Sequence, residues 1–334
     1  MRIIVMGTGP FALPTAQRLV ELGHHIPLVV TRPLPDPPPK KLPPRPIADW
    51  ATEQTLPLFE PVSINTAESI ETLKSFQAEL FFVCDYGQIL SNDCLSAAQL
   101  GGINLHGSLL PRHRGAAPVQ WALLSGDKVA GVTVIHMTPR LDAGPALAVE
   151  SLEILPDETA EGLEPRLAAI GVRATERALE LLETWDQQSP IGTIQDKSLV
   201  TKAPRFAKPD GQLDFRLPAE YLVRLLRACQ PWPGTFAELE WASGKNIRLL
   251  IRAARSIDPA IDPTNNTERI SSTEQIGLVR VFDSASVLNC ENKAATLDWS
   301  GCWKTTLAVE TASGLLLISR VQPAGKREMD VAEF

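Results

Sequence analysis

Along the first half of the chain, short apolar runs alternate with stretches whose apolar residues return every third or fourth position. Arg2–Val5 and Leu28–Thr31 are compact and β-branched, Leu80–Val83 is wholly apolar, and Gly102–His106 and Val132–Met137 complete the series of strands. A wholly apolar run is what a parallel strand covered on both faces requires. Between the first two, Phe11–Leu22 sets Ala12, Ala16, Leu19 and Val20 at helical spacing. Strand–helix–strand alternation of this kind predicts an open parallel α/β sheet. A longer helix is predicted over about Glu158–Trp185, where Leu163, Leu167, Ile170, Ala174, Ala178 and Leu181 form one apolar stripe.

After that helix the period shortens. A further helix starts near Pro218, carries Leu222, Leu225 and Leu226, and stops before Pro231-Trp232-Pro233. Phe236–Trp241, Ile247–Ala253, Gly277–Phe282, Thr305–Val309 and Leu315–Val321 then read as short strands, which predicts a small β-barrel or sandwich. Asp258–Gln275, polar and rich in Pro, Asn, Thr and Ser, reads as a long loop. The pattern divides the chain into an α/β domain over 1–204, ending in a linker from about 187, and a β domain over 205–334. A chain of 334 residues is long enough for both to bury their own cores.

Composition narrows the class. No run approaches the roughly 18 apolar residues of a membrane span, and the opening MRIIVMGTGPFA reads as a first strand rather than a signal peptide. Five cysteines without a C-x-x-C pair argue against a disulfide framework or a zinc knuckle. A cytoplasmic protein without a metal site is expected. The net charge of -7 excludes a surface that is basic throughout, as a general nucleic-acid sleeve would be. The acidity is uneven, however. Residues 205–334 hold 16 basic and 16 acidic side chains, whereas 1–204 hold 16 and 23, so a basic face fits the second domain better. Prolines outnumber glycines, 28 to 21, and many of them crowd into Pro33–Pro46.

Two motifs compete to define the chemistry. Gly7-Thr8-Gly9-Pro10-Phe11-Ala12 follows a strand, opens a helix and fits the dinucleotide fingerprint G-x-G-x-x-G/A. The second strand ends at Thr31-Arg32, with no acidic residue for an NAD ribose, so a dinucleotide bound here would be NADP, but a match this short is weak evidence for one. The plain alternative is the tight turn that any parallel α/β domain needs after its first strand. The second motif is GGINLHGSLLPRHRGAAPVQ over 101–120. Asn104 and His106 stand two apart in a strand and so leave the same face. An amide and an imidazole side by side suit a developing oxyanion. Arg140-Leu141-Asp142-Ala143-Gly144-Pro145 follows the next strand, read as a parallel neighbour, and brings Asp142 to the same crevice. Asn, His and Asp around one site describe acyl transfer to an amine. A hydrolase built from Ser108, His106 and Asp142 lacks the G-x-S-x-G elbow. His24, His25, His113 and His136 read as structural histidines.

GINLHGSLLP, RGAAPVQW and LDAG resemble the folate-dependent formyltransferases, most closely the branch that acts on methionyl initiator tRNA. The likeness continues through GTGPFA, Asp85–Leu90, APRFAKPDGQLDF from Ala203, RACQPWPGTF from Arg227 and VQPAGKREM from Val321, nearly the whole chain. It implies a Rossmann-like parallel-sheet domain followed by an OB-like β-barrel that binds tRNA. It implies a catalytic trio of Asn104, His106 and Asp142. By the same resemblance 10-formyltetrahydrofolate lies against Tyr86, Gly87, Gln88, Ile89 and Leu90, against Ser108, Leu109, Leu110 and Pro111, and against Arg140, Leu141 and Gly144. The implied partner is initiator methionyl-tRNA, met by a monomer through Arg32, Lys40, Lys41, Arg45, Lys208, Lys326 and Arg327. The chain departs from the family in two places. Its loop over Thr31–Leu42 is polyproline where relatives carry Gly-Arg-Gly, and Cys84 and Asp85 stand where small apolar residues are usual. Three other readings remain: a formyltransferase acting on UDP-amino sugars, an NADP-dependent reductase, and a tRNA-binding module without catalysis.

Overall fold

The computed structural model describes residues 1–37, 42–240, 244, 246–257, 279–283 and 305–334. Its contacts gather into two units. One comprises Met1–Ala122, Asp127–Pro156 and Gly162–Arg205; the other comprises Leu123–Gly126, Asp157–Glu161 and Phe206–Phe334.

The first unit is built on a seven-stranded sheet. Strands β1 (Ile3–Gly7), β2 (Val29–Val30), β3 (Leu58–Phe59), β4 (Leu80–Cys84) and β5 (Gly102–His106) run parallel in the order β3-β2-β1-β4-β5. The connections carry helices α1 (Leu13–Glu21), α2 (Pro46–Glu53), α3 (Ala67–Ser75), α4 (Asn92–Leu95) and α5 (Pro118–Ser125). The chain works outward from β1 to β3 and then jumps to β4 and β5. The order therefore reverses between β1 and β4, and the strand ends there open the crevice in which such sheets hold ligands. Every residue of β1 and of β4 is buried. Ile4, Met6, Phe81 and Val83 face Ile70 and Leu73 of α3 in one core cluster. That helix starts where it does because the Thr66 hydroxyl accepts the Ser69 N–H, satisfying one otherwise unpaired first-turn donor.

Strands β6 (Val129–His136) and β7 (Ala146–Glu153) extend the sheet past β5, and both pairings are antiparallel. This corrects the parallel neighbour read for the strand before Asp142. Burial period tells which face a side chain takes, but a fully buried run reads the same in both directions. The strand-end argument for Asp142 therefore fails, because His136 at the end of β6 pairs with Ile103 near the start of β5. Helix α6 (Ala160–Glu183) lies close to its expected span. Its stripe runs through Leu163, Leu167, Ala174, Ala178 and Leu182, while Leu181 is exposed, as 3.6 residues per turn requires over six turns. Val20 of α1 is likewise exposed.

The second unit holds α7 (Ala219–Ala228) and strands β8 (Thr235–Glu240), β9 (Asn246–Ile257), β10 (Val279–Asp283), β11 (Thr305–Glu310), β12 (Leu315–Pro323) and β13 (Met329–Asp330). The order is β10-β11-β12-β9-β8, with β13 added beside β12, and every pairing is antiparallel. The β9–β12 register shifts around Ile318–Val321, an irregularity that bends a sheet. The result is an antiparallel half-barrel of the OB-like kind. Helix α7 packs on β9 and β12 and buries Leu222, Leu225 and Leu226. The predicted loop Asp258–Gln275, Cys290 and Cys302 lie outside the described residues. Cys84, Cys94 and Cys229 are buried free thiols.

Candidate active site

A cavity of about 350 Å³ opens at the end of β4 and along one face of β5. Alternation along β5 brings Asn104 and His106 to it together, as the spacing predicts. Asp142 arrives differently. The chain leaves β6, loops through Met137–Pro145 and folds back over β5, placing Asp142 Oδ1 3.5 Å from Asn104 Nδ2 and 3.7 Å from His106 Nδ1. Oδ2 of the same carboxylate accepts the Gly115 N–H at 2.9 Å. The Asp142 backbone takes φ +49°, a left-handed conformation that Asp tolerates better than most side chains. His106 and Asp142 are 6% and 8% exposed, so both meet solvent only through the cavity.

The orientation of His106 follows from its second nitrogen. Nε2 lies 2.9 Å from the His113 carbonyl, which only accepts, so Nε2 carries a hydrogen. Nδ1 is then the ring atom turned toward Asp142 and the cavity. His113 is held in turn, because its Nε2 meets Asp127 Oδ2 at 2.7 Å and its N–H donates to the Thr201 hydroxyl at 2.8 Å. His113, read as a structural histidine, therefore sets the posture of His106 through its backbone. Ser108 takes no nucleophilic position, since its hydroxyl donates to the Arg112 carbonyl at 2.7 Å.

Tyr86, Gly87, Gln88, Ile89 and Leu90 line the cavity, as do Arg140 and Leu141. Ser108, Leu109, Leu110 and Pro111 stand outside the lining. Thr133 pins this turn from behind: its hydroxyl donates to the Ser108 carbonyl and accepts the Leu110 N–H, while Leu109 packs against Gly131. Gly144 also lies off the wall, and a Cβ there would fall 1.8 Å from the His136 carbonyl oxygen. Only glycine lets the loop come this close to β6.

Asp85, Glu164 and Arg205 also line the cavity. The Asp85 carboxyl touches solvent through the cavity, but the protein around it raises its pKa above the ordinary range, against a lowering effect of Arg205. Burial raises Glu164 too, and the charge of Asp85 adds to the rise. Asp85 also settles the meaning of the glycine motif. A Cβ on Gly9 would sit 1.8 Å from Asp85 Oδ2. The space a pyrophosphate would use at that turn is thus occupied by a carboxylate, which opposes it by bulk and by charge.

The basic residues singled out from sequence are dispersed. Arg32 lies over Gly87, its Nη1 3.3 Å from where a Cβ there would stand. Arg45 is paired with Glu60 and Arg327 with Glu333. Lys208 and Lys326 are exposed, and Lys40 and Lys41 lie outside the described residues. Three participants had no readable signal: the Gly115 N–H, the His113 carbonyl and Gln195. The first two are backbone groups, and Gln195 is 53 residues from Asp142 in sequence.

The family description "Formyl transferase" matches residues 1–179, and "Formyl transferase, C-terminal domain" matches 205–334. The chain belongs to the formyl transferase family. Within that family, the methionyl-tRNA formyltransferase of Rhodopirellula baltica is 42% identical across 100% of this chain and 93% of its own. That of Methylococcus capsulatus is 36% identical across 100% and 96%. Among solved structures, HypX from Aquifex aeolicus in complex with tetrahydrofolic acid shares the fold, with a TM-score of 0.56 at 14% identity. The match covers 100% of this chain and 46% of that one.

Proposed function

We propose that this chain transfers the formyl group of 10-formyltetrahydrofolate to the free α-amine of methionine on initiator tRNA, yielding formylmethionyl-tRNA for translation initiation. The observation that carries the reading is the convergence of Asn104, His106 and Asp142 on one cavity, within 3.5 and 3.7 Å of Asp142 Oδ1. The cavity suits a folate. Apolar Val83, Leu90, Ile135, Met137 and Leu141 line it beside the polar trio and the backbone of Tyr86–Leu90. A flat heterocycle with polar edges needs that combination of apolar walls and a few convergent polar groups. The Tyr86–Leu90 segment, Arg140 and Leu141 hold it directly, and Ser108–Pro111 and Gly144 shape the wall from behind.

When bound, the folate supplies the formyl group. Asn104 Nδ2 and the His106 ring stabilise the negative charge that develops on the formyl oxygen as the neutral amine attacks. Asp142 takes the amine proton, directly or through one water, and delivers it to the departing folate nitrogen. Its charge also faces His106 Nδ1 and so balances a protonated ring. The reading assigns residues 1–204 to folate and catalysis and 205–334 to tRNA, in a monomer working in the cytoplasm.

Formylation of charged initiator tRNA is the direct test, with uncharged tRNA and UDP-amino sugars as alternative acceptors. Transfer to the charged tRNA alone is expected. Transfer to an amino sugar and none to tRNA overturns the reading.

A further inference from the structure

We infer that Gln195 is a positioning residue for Asp142, holding the catalytic loop through its side-chain amide. The inference rests on the role proposed for Asp142 and adds to it. Gln195 is 9% exposed and comes from the segment that follows α6. Its Nε2 donates to the Asp142 carbonyl at 2.9 Å and to the Gly144 carbonyl at 2.7 Å. Its Oε1 accepts from Arg114 Nη2 at 2.6 Å and Nε at 3.2 Å. A primary amide offers two N–H donors and one acceptor oxygen, and here every one is engaged.

The geometry ties the loop from two sides. Arg114 orients Gln195, Gln195 grips the backbone of Asp142 and Gly144, and the next residue, Gly115, donates its N–H to the Asp142 carboxylate. The Gln195 segment is itself fastened to the start of β7 by reciprocal Thr193–Ala146 bonds of 2.8 Å. Without the amide, two buried carbonyls lose their donors at the point where Asp142 holds a left-handed backbone. A shift of about 1 Å in a group that must meet a reacting proton costs on the order of a hundredfold in rate.

Gln195→Glu isolates this function, because it keeps the shape and the Arg114 contact while turning acceptor oxygens toward two carbonyls. Its kcat for methionyl-tRNA formylation is expected to fall by about 10–100-fold. Melting temperature is expected to fall somewhat, because two buried carbonyls lose their donors, while affinity for a folate analogue stays near that of the parent. Arg114→Met, which frees Gln195 without touching the loop, is expected to give a smaller loss of the same kind. In an Asp142→Asn background, Gln195→Glu is expected to add little, since it acts through Asp142. The inference is overturned if Gln195→Glu keeps kcat within about threefold, if its loss persists undiminished beside Asp142→Asn, or if affinity for the folate analogue falls as far as kcat does. If Gln195→Glu does not fold, Arg114→Met decides on the same criteria. Full turnover in Asp142→Asn alone would instead defeat the proposed site, so the two failures are told apart.

Discussion

For single residues, the site depends on which atom of each side chain is already committed. His106 gives its Nε2–H to the His113 carbonyl, so Nδ1 alone is left for chemistry. Asn104 has its amide turned to Asp142 at the long distance of 3.5 Å, a contact weak enough to yield to a developing oxyanion. Asn104→Ala is therefore expected to lower kcat by about 10²–10³ with little change in folate affinity, the usual effect of losing one oxyanion donor; steady-state kinetics beside folate titration checks it. Asp85 makes a different prediction. Its pKa is raised in the folded chain by partial loss of water around it, so folding binds its proton more tightly than the unfolded chain does. Its contribution is fully favourable below the ordinary carboxylate value of 3.8 and is lost as pH rises through the elevated value. Asp85→Asn should accordingly raise the melting temperature slightly at pH 7–8, and the gain should vanish near pH 4. Melting curves across pH test this, and an equal gain at both ends would show that charge is not the cause.

Among the helices, the readable ones are those whose period is reinforced by burial on a single side. Helix α7 is an example: Leu222, Leu225 and Leu226 sit on one face and all are buried against β9 and β12. Leu222→Ala removes a fully buried side chain and should cost about 2–4 kcal/mol of stability in the unit that contains it, as read by denaturant unfolding. Strand β3, two residues long, carries too few positions to show a period, and the pattern predicts no strand there for that reason. The direction of β6 is equally hidden. Its consequence is that Asp142 reaches His106 by a loop folding back across the sheet, and this in turn explains why Gly144 and the Gln195 amide are needed there.

Over the full chain, the charge of -7 and a tRNA substrate are reconciled by distribution. The first 204 residues carry the excess acidity, part of it in the Asp85 and Glu164 carboxyls of the cavity, and residues 205–334 are neutral. Lys208 and Lys326 are exposed cations of the second unit that no acidic partner engages among the described residues, unlike Arg327 with Glu333. Replacing both by Ala should raise KM for tRNA and flatten its salt dependence, by about one unit of slope for each phosphate that is no longer neutralised. Folate affinity should not change. Formylation kinetics at several salt concentrations measures both.

Local sequence was enough to establish the alternation of strands and helices, the change to short strands after residue 205, and the shared face of Asn104 and His106. Each is written in local periodicity or in a run of consecutive residues, as in Asn104 and His106, two apart on one strand. Strand direction beyond β5, the tautomer of His106, the clash that gives Gly9 its meaning and the bracing of Asp142 by Gln195 came from the folded chain alone. These depend on backbone groups that every residue shares and on contacts between distant segments. Side-chain identity along a single chain does not encode them, and they exist once the sheet has brought those segments together.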